Sequence, residues 1–310
     1  MKFKGMKKDN FLIFRIFLFL NVIVFLIVYN LFTNEVYITS MLYEQEANKT
    51  LGLSKNNSSI NACILVLCQE NDIKNLIYLV KQFEFYFNKH HHYPYIFFNN
   101  KPFTVKFKHE INKHTSSLIE FAQIKDEHWR VPQWIDRKRL IKSLWKIGFS
   151  IGYRHMCRFY SGFFYKHELT LKYDYFMRLD DDSKFYDYID RDPFLRLTSN
   201  RTRYGFAIST NDREYTMPTL WSTIRMWANK TNVKLNRSNN GIRFVSNDYG
   251  QTLDLVSLCM FYNNFELASF DLFRSQDYED YFEFLDRAGG FYYERWVQFI
   301  SIFIYFFSCR

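Results

Sequence analysis

The chain predicts an α/β fold, a mixed and mainly parallel sheet preceded by one N-terminal transmembrane helix, on three observations. A long apolar run lies near the N-terminus, from Phe11 to Phe32. Short apolar strands alternate with helical stretches from Asn61 onward. An aromatic, strand-forming segment, Tyr173-Asp-Tyr-Phe-Met-Arg-Leu-Asp-Asp-Asp-Ser183, ends abruptly in three consecutive carboxylates.

The apolar run holds 22 residues, interrupted by Arg15, Asn21 and Asn30. At about 1.5 Å each it reaches about 33 Å, enough for a hydrocarbon core of about 30 Å. A cleavable leader would be shorter and end in small residues, and no such site follows. Lys2, Lys4, Lys7 and Lys8 all precede the run. The positive-inside rule then leaves residues 1–10 as a cytosolic tail, makes 11–32 a signal anchor and places the rest in a lumen. Residues 33–59, rich in Asn, Ser, Glu and Lys, read as a stem rather than a fold.

From residue 60 the pattern is that of one globular domain. Ala62-Cys-Ile-Leu-Val-Leu67 is a short buried strand, Asp72 to Phe87 the helix after it, and Tyr95-Ile-Phe-Phe98 a second strand ending at Asn99-Asn100. Strand alternating with helix gives a mainly parallel sheet. His90, His91 and His92 are adjacent rather than spaced for one helix face, and read as a polar connection. With 35 Phe and 23 Tyr, aromatic stripes belong to the core before they belong to a sugar platform.

After the anchor, 36 basic and 31 acidic residues leave a net charge of +5, too mild and dispersed for nucleic acid but compatible with an anionic substrate. Sequons begin at Asn48, Asn56, Asn57, Asn200, Asn229 and Asn236, each a candidate glycosylation site in a lumen. Five cysteines are sparse; Cys63, Cys68, Cys157 and Cys259 are free to form disulfides in an oxidising compartment, and spacing does not fix a pairing.

The acidic strand end carries the chemistry. Tyr, Phe and Leu favour a buried sheet, while adjacent carboxylates resist burial unless a cation compensates them. Asp180, Asp181 and Asp182 at a strand tip can therefore seat a divalent metal on oxygen ligands. In open α/β sheets that end also receives nucleotides, and an Asp-x-Asp there is how many nucleotide-sugar transferases hold a diphosphate. The competing reading is an exposed acidic turn that caps the next helix.

Further strings are specific: His92-Tyr-Pro-Tyr-Ile-Phe97, Glu127-His-Trp129 with Pro132 and Trp134-Ile-Asp136, Tyr153-Arg-His-Met-Cys-Arg-Phe-Tyr-Ser-Gly-Phe-Phe-Tyr165, Tyr204-Gly-Phe206, Met217-Pro-Thr-Leu-Trp221, Asn263-Asn-Phe-Glu266 and Ala288-Gly-Gly-Phe-Tyr-Tyr-Glu-Arg-Trp296. In these, and in Tyr173 to Arg178, the chain resembles the fungal α-1,2-mannosyltransferase family of the yeast Golgi, glycosyltransferase family 15, over roughly residues 60–296. The resemblance implies a GT-A-like nucleotide-sugar transferase fold and residues 60–296 as its catalytic domain. It also implies a GDP-mannose donor, Mn²⁺ or another divalent metal, and retaining transfer to the 2-hydroxyl of a mannose-terminated glycan acceptor. The setting it implies is N- or O-linked glycosylation and cell-wall mannan synthesis by a single-pass type II protein of the Golgi membrane. Mannosylphosphate transfer, linked to some members, and a catalytically inactive membrane-anchored paralogue are the alternatives.

By the same resemblance Asp180 and Asp182 take the positions of the family's E-P-D motif and bind metal and donor, with Arg178 facing the diphosphate. Asp212 aligns with a family glutamate implicated in metal binding, one methylene shorter here. Glu266 matches the carboxylate proposed to lie beneath the anomeric carbon, as nucleophile or ion-pair stabiliser by analogy with glycosidases; its bland alternative is a structural hydrogen-bond acceptor. Tyr153 matches a tyrosine near the reacting centre. Glu294 and Arg295 are expected to form a buried ion pair supporting the site.

Two departures stand out. Asp180-Asp-Asp lacks the proline that stiffens E-P-D. After Trp296 the family continues with G-D-A-P-V-H-S and a segment that supplies a metal-binding histidine, whereas residues 297–310 form a largely apolar tail. The expectation is a domain incomplete at its C-terminus.

Overall fold

Ala62-Cys-Ile-Leu-Val-Leu67 carries no charged residue, so both of its faces must be covered for it to be stable. It takes the middle of the sheet. The computed structural model describes residues 60–200, 202–233 and 259–296, within one unit that begins at Ile60. Strand β1 (Ala62–Leu67) lies parallel to β2 (Tyr95–Asn99) on one side and to β4 (Tyr175–Asp180) on the other. Strand β3 (Ile119–Gln123) extends the parallel part beyond β2. Past β4, β8 (Phe265–Ser269) and then β5 (Tyr204–Phe206) join antiparallel, giving the order β3-β2-β1-β4-β8-β5. A separate antiparallel pair joins β6 (Ser209–Asn211) to β7 (Cys259–Phe261). The mixed, mainly parallel sheet is the one the sequence predicts.

The helices begin where side chains can satisfy their first amides. Thr104 Oγ1 accepts from Phe107 N ahead of α2 (Val105–Asn112), Asp136 from Arg139 N ahead of α3 (Arg137–Ile147), and Ser150 from Tyr153 N ahead of α4 (Ile151–Gly162). Asp192 caps α5 (Pro193–Ser199), with proline at the first turn where its missing N–H costs nothing. Helix α1 (Ile73–Tyr86) links β1 to β2, and α6 (Leu220–Thr231) follows β6. The described chain closes with α7 (Phe270–Phe273), α8 (Gln276–Ala288) and α9 (Gly290–Tyr293).

Strand periodicity divides the core in two. Ile64, Val66, Phe97, Met177 and Leu179 face α1, whose Leu76, Leu79, Val80 and Phe83 cover them. Cys63, Leu65, Ile96, Phe98, Phe176 and Ala268 face α4 and α8 through a predominantly aromatic layer that includes Phe159, Tyr160, Phe164, Phe273, Tyr278 and Trp296. Aromatic residues here are core, as expected. Two buried ties bind α4 to the C-terminal helices. Arg158 donates Nε and Nη2 to the two carboxylate oxygens of Asp286, each at 2.8 Å, and His155 Nδ1 lies 2.9 Å from the Tyr292 hydroxyl.

The connections run outward from β1 to β2 and β3, then return to put β4 on the other flank of β1. The carboxyl ends of β1 and β4 therefore flank the point where strand order reverses, the usual place for a ligand crevice. Register sets Leu67 beside Asp180 at that end.

Cys63, Cys68 and Cys157 are free and buried, which corrects the disulfide expectation for these three. Five residues along an extended chain separate Cys63 from Cys68 by about 17 Å, beyond the reach of a disulfide. The apolar run 11–32, the stem 33–59 and the tail 297–310 lie outside the described residues; among the described residues no helix is long and apolar enough to cross a membrane.

Burial pushes both His128 and His155 down to about 4 from their ordinary 6.5. The unfolded chain takes up these protons near 6.5, but the folded chain does so only near 4. The stability they contribute is thus complete above pH 6.5 and is lost as pH falls to 4. Thermal melts across this window should show a falling midpoint. His155→Gln should flatten the slope without abolishing it, since burial also lowers His128, His91 and His167 while Asp181, raised to about 6, works against them; an unaltered slope would show that His155 does not bind its proton differently on unfolding.

Candidate active site

Strand β4 reads Tyr175-Phe-Met-Arg-Leu-Asp180, with one charge inside an apolar run, and β8 reads Phe265-Glu-Leu-Ala-Ser269, with one charge of opposite sign. Antiparallel register sets Arg178 directly across from Glu266. With side chains alternating between faces, Arg178, Asp180 and Glu266 all emerge on the α4 side of the sheet. The Arg178 guanidinium stands 3.5 Å from Glu266 Oε1, donates to Asp180 Oδ1 at 2.9 Å, and lies over the Tyr160 ring at 3.7 Å. Tyr204, on β5, donates its hydroxyl to Glu266 Oε2 at 2.6 Å.

This is a chain of compensated charge. Burial alone would lower the Arg178 pKa, but the Asp180 and Glu266 carboxylates outweigh it and hold the guanidinium protonated. Burial raises the Glu266 carboxyl, and Arg178 and Tyr204 draw it part of the way back. The acidic turn follows at once. Ser183 N donates to the Asp180 carbonyl at 3.0 Å, while Asp180 N and Ser183 Oγ donate to the Asn264 carbonyl at 3.3 and 3.1 Å. Asp181 is pushed up to about 6 by burial and by the charges of Asp180, Asp182 and Asp72.

A cavity of about 280 Å³ opens beside this turn. Helix α4 presents Tyr153, Met156, Cys157 and Tyr160 to it, four positions on one helical face. The chain entering β8 adds Tyr262, Asn263 and Asn264, and Arg295 adds a second guanidinium. Three of the expected residues, Tyr153, Arg178 and Asp180, meet on this wall. Glu266 stands behind Arg178, fully buried. Asp182 is exposed and lines a neighbouring groove of about 510 Å³ that shares Tyr262 and Asn264 with the cavity. Asp212 is buried beside Arg295: its Oδ1 accepts from Arg213 N at 2.7 Å and from Arg295 Nη2, and its Oδ2 has no hydrogen-bond partner.

Glu294 and Arg295 do not pair with each other, contrary to expectation. Glu294 has extended backbone, φ −128° and ψ −154°, so neighbouring side chains diverge. Its carboxylate accepts from Thr219 N, Thr219 Oγ1 and Trp296 Nε1 at 3.1, 2.7 and 2.7 Å, while Arg295 turns to Asp212. The sequence reading also omits Tyr160. Its signal was there: Tyr160 lies seven residues after Tyr153, two helical turns along the same face.

The residues suit a hard divalent ion in kind. Asp180 and Asp182 offer carboxylate oxygens at the strand tip, and the unpartnered Oδ2 of Asp212 is an uncompensated buried acceptor. Among the described residues no three acidic, histidine or cysteine side chains converge closely enough to hold an ion as they stand.

Comparison with known proteins places the chain in a family. The chain is 40% identical over 241 residues to glycolipid 2-alpha-mannosyltransferase of Saccharomyces cerevisiae, covering 76% of this chain and 54% of the relative. It is 40% identical over 242 residues to alpha-1,2 mannosyltransferase KTR1 of the same yeast, covering 76% and 61%. The chain thus spans about half to three-fifths of the length of these relatives. The crystal structure of core-mannan synthase A (CmsA/Ktr4) from Aspergillus fumigatus in its Mn/GDP form superposes with a TM-score of 0.76 at 33% identity, covering 83% of this chain and 72% of that one. With residues 33–303 also matching the profile described as glycolipid 2-alpha-mannosyltransferase, the chain belongs to that family.

Proposed function

We propose that this chain transfers mannose from GDP-mannose to the 2-hydroxyl of a mannose-terminated N- or O-linked glycan, with retention of configuration, in glycosylation and cell-wall mannan synthesis. The observation that carries the reading is the cavity at the carboxyl end of β4, where Arg178 and Asp180 face the space of an α/β switch point. The similar Aspergillus protein carries manganese and GDP in its structure. The apolar run from Phe11 to Phe32 behind four lysines supports a type II anchor in the Golgi membrane.

The residues take the following parts. Asp180 and Asp182 would hold the divalent ion, with the free oxygen of Asp212 a further acceptor. When bound, the ion neutralises negative charge that develops on GDP as the sugar leaves. Arg178 presents a fixed cation to the same group and costs no reorganisation, because Glu266, Asp180 and Tyr160 already hold it in place. Tyr153 offers a hydroxyl on the cavity wall that burial keeps protonated, so it can donate to a substrate oxygen. Glu266 acts first on Arg178; direct contact with the sugar would require the guanidinium to move aside.

Two outcomes test this. Asp182→Ala should raise the Mn²⁺ concentration needed for half-maximal turnover of GDP-mannose by at least about tenfold. Unchanged metal dependence would remove Asp182 from the ion's ligands, and a product mass that included phosphate would replace mannosyl by mannosylphosphate transfer. Arg178→Leu should cost about 3–5 kcal/mol in urea unfolding, because it strands the buried Glu266 carboxylate. Adding Glu266→Gln to that variant should recover part of the loss. A double variant no more stable than the single one would show that the two charges are not coupled.

A further inference from the structure

Glu294, Arg295 and Trp296 are consecutive, yet a different part of the fold holds each. The Glu294 carboxylate accepts from the amide and hydroxyl of Thr219 at the start of α6. Trp296 packs into the core against Gly290, where a Cβ would lie 2.0 Å from the indole. Arg295 alone reaches the cavity wall, where it stands with Tyr153, Arg178 and Asp180.

The two guanidinium groups on that wall are not equivalent. Arg178 faces two carboxylates and a tyrosine ring, so its charge is largely compensated within the protein. Arg295 faces one carboxylate, Asp212, which is not on the wall, and lies over the Phe149 ring at 4.6 Å. Its Nε is buried with no hydrogen-bond partner. A guanidinium has five donors in a fixed fork, and one ion pair with the neighbouring Tyr153 hydroxyl leaves several unspent.

Its surroundings are built to keep it there. The Arg295 amide donates to the Thr216 carbonyl at 2.7 Å. Arg154, almost wholly buried, meets no carboxylate among the described residues; its Nη1 donates to the Ser143 hydroxyl and to the carbonyls of Tyr292 and Glu294, and its Nη2 to that of Gly148 at 3.1 Å. One side chain thus fixes both the segment that carries Arg295 and the turn that carries Phe149. A buried charged donor used on backbone carbonyls and one serine hydroxyl, with no carboxylate to meet it, is a costly device for general packing, and here it sets the position of a second cation.

We propose that Arg295 is a diphosphate-binding residue of the donor site, with Asp212, Phe149 and Arg154 as the residues that position it. The proposal rests on the GDP-mannose reading above. A diphosphate is multiply charged and Asp180 repels it, so the cavity needs a guanidinium with donors to spare. Arg295, paired with one carboxylate where Arg178 faces two, supplies it, and its fork suits two phosphate oxygens at once.

Calorimetry on the wild type, Arg295→Ala and Arg295→Lys, titrated in Mn²⁺ with GDP, guanosine and inorganic pyrophosphate, tests it. Arg295→Ala should weaken GDP and pyrophosphate by about 10- to 100-fold, the worth of charge-assisted hydrogen bonds. Guanosine affinity should change by less than about twofold, since it lacks the phosphates. Added guanidinium should restore part of the lost affinity. Arg295→Lys keeps the charge but not the fork; it should fall between the two, and it serves as the test should the alanine variant not fold. Unchanged GDP affinity, or equal losses for GDP and guanosine, would overturn the proposal. Wild-type protein that binds pyrophosphate through Arg295 but not GDP would keep the anion site and overturn the donor reading. Binding of neither would overturn both.

Discussion

The structure depends on one pairing of opposite charges inside a sheet. Arg178 and Glu266 occupy facing positions on β4 and β8, each in an otherwise apolar strand and each almost inaccessible to solvent. Neither would be tolerated there alone, because an isolated buried ion costs several kcal/mol or more. Together they specify register. Sliding β8 by one residue would turn Glu266 to the opposite face and bring Leu267 across from Arg178. The pairing thus fixes where β8 begins, and with it the position of Asn264, whose carbonyl holds the acidic turn.

That turn is the second constraint. Asp180, Asp181 and Asp182 follow one another, yet among the described residues only Asp180 has a cation paired with it, the Arg178 guanidinium. Asp181 responds by rising to about 6, the direction expected of a carboxyl among like charges under partial burial. The protein accepts local repulsion at the carboxyl end of β4. Such a cluster is more stable with an added cation than without one, and its place at the switch point sets it beside the cavity. Strain of this electrostatic kind concentrates where ligands bind.

Much of this was legible in the residues. Ala62–Leu67 and Tyr95–Asn99 are near-continuous apolar runs, and they are the two parallel strands read from the sequence. The helix expected from Asp72 to Phe87 is Ile73–Tyr86, one residue shorter at each end. The acidic strand tip is where the composition break placed it. Strand order and the antiparallel addition of β8 were not legible. They are set by contacts between segments about ninety residues apart in sequence, which local pattern does not encode. The Glu294–Arg295 pairing failed for a local reason. Adjacent residues of an extended segment point apart, so unlike charges next to each other in sequence need not meet.

The string Ala288-Gly-Gly-Phe-Tyr-Tyr-Glu-Arg-Trp296 is one of those that carry the family resemblance, and the fold gives each of its residues a different task. Gly289 ends α8 with φ +78°, a left-handed conformation that side chains resist, and a Cβ there would lie 2.6 Å from the Tyr293 ring. Gly290 has no room for a Cβ beneath Trp296. Phe291 and Tyr292 fill the core, and the Tyr292 hydroxyl reaches His155 and the Arg130 carbonyl. The Tyr293 hydroxyl accepts from the Asp136 amide at 2.7 Å, just ahead of α3. Glu294 holds α6, Arg295 faces the cavity, and Trp296 closes the turn onto Gly290. Each residue has a different partner, so a change at one place cannot be absorbed by its neighbours. Together these contacts fix the backbone that brings the Arg295 guanidinium to the cavity.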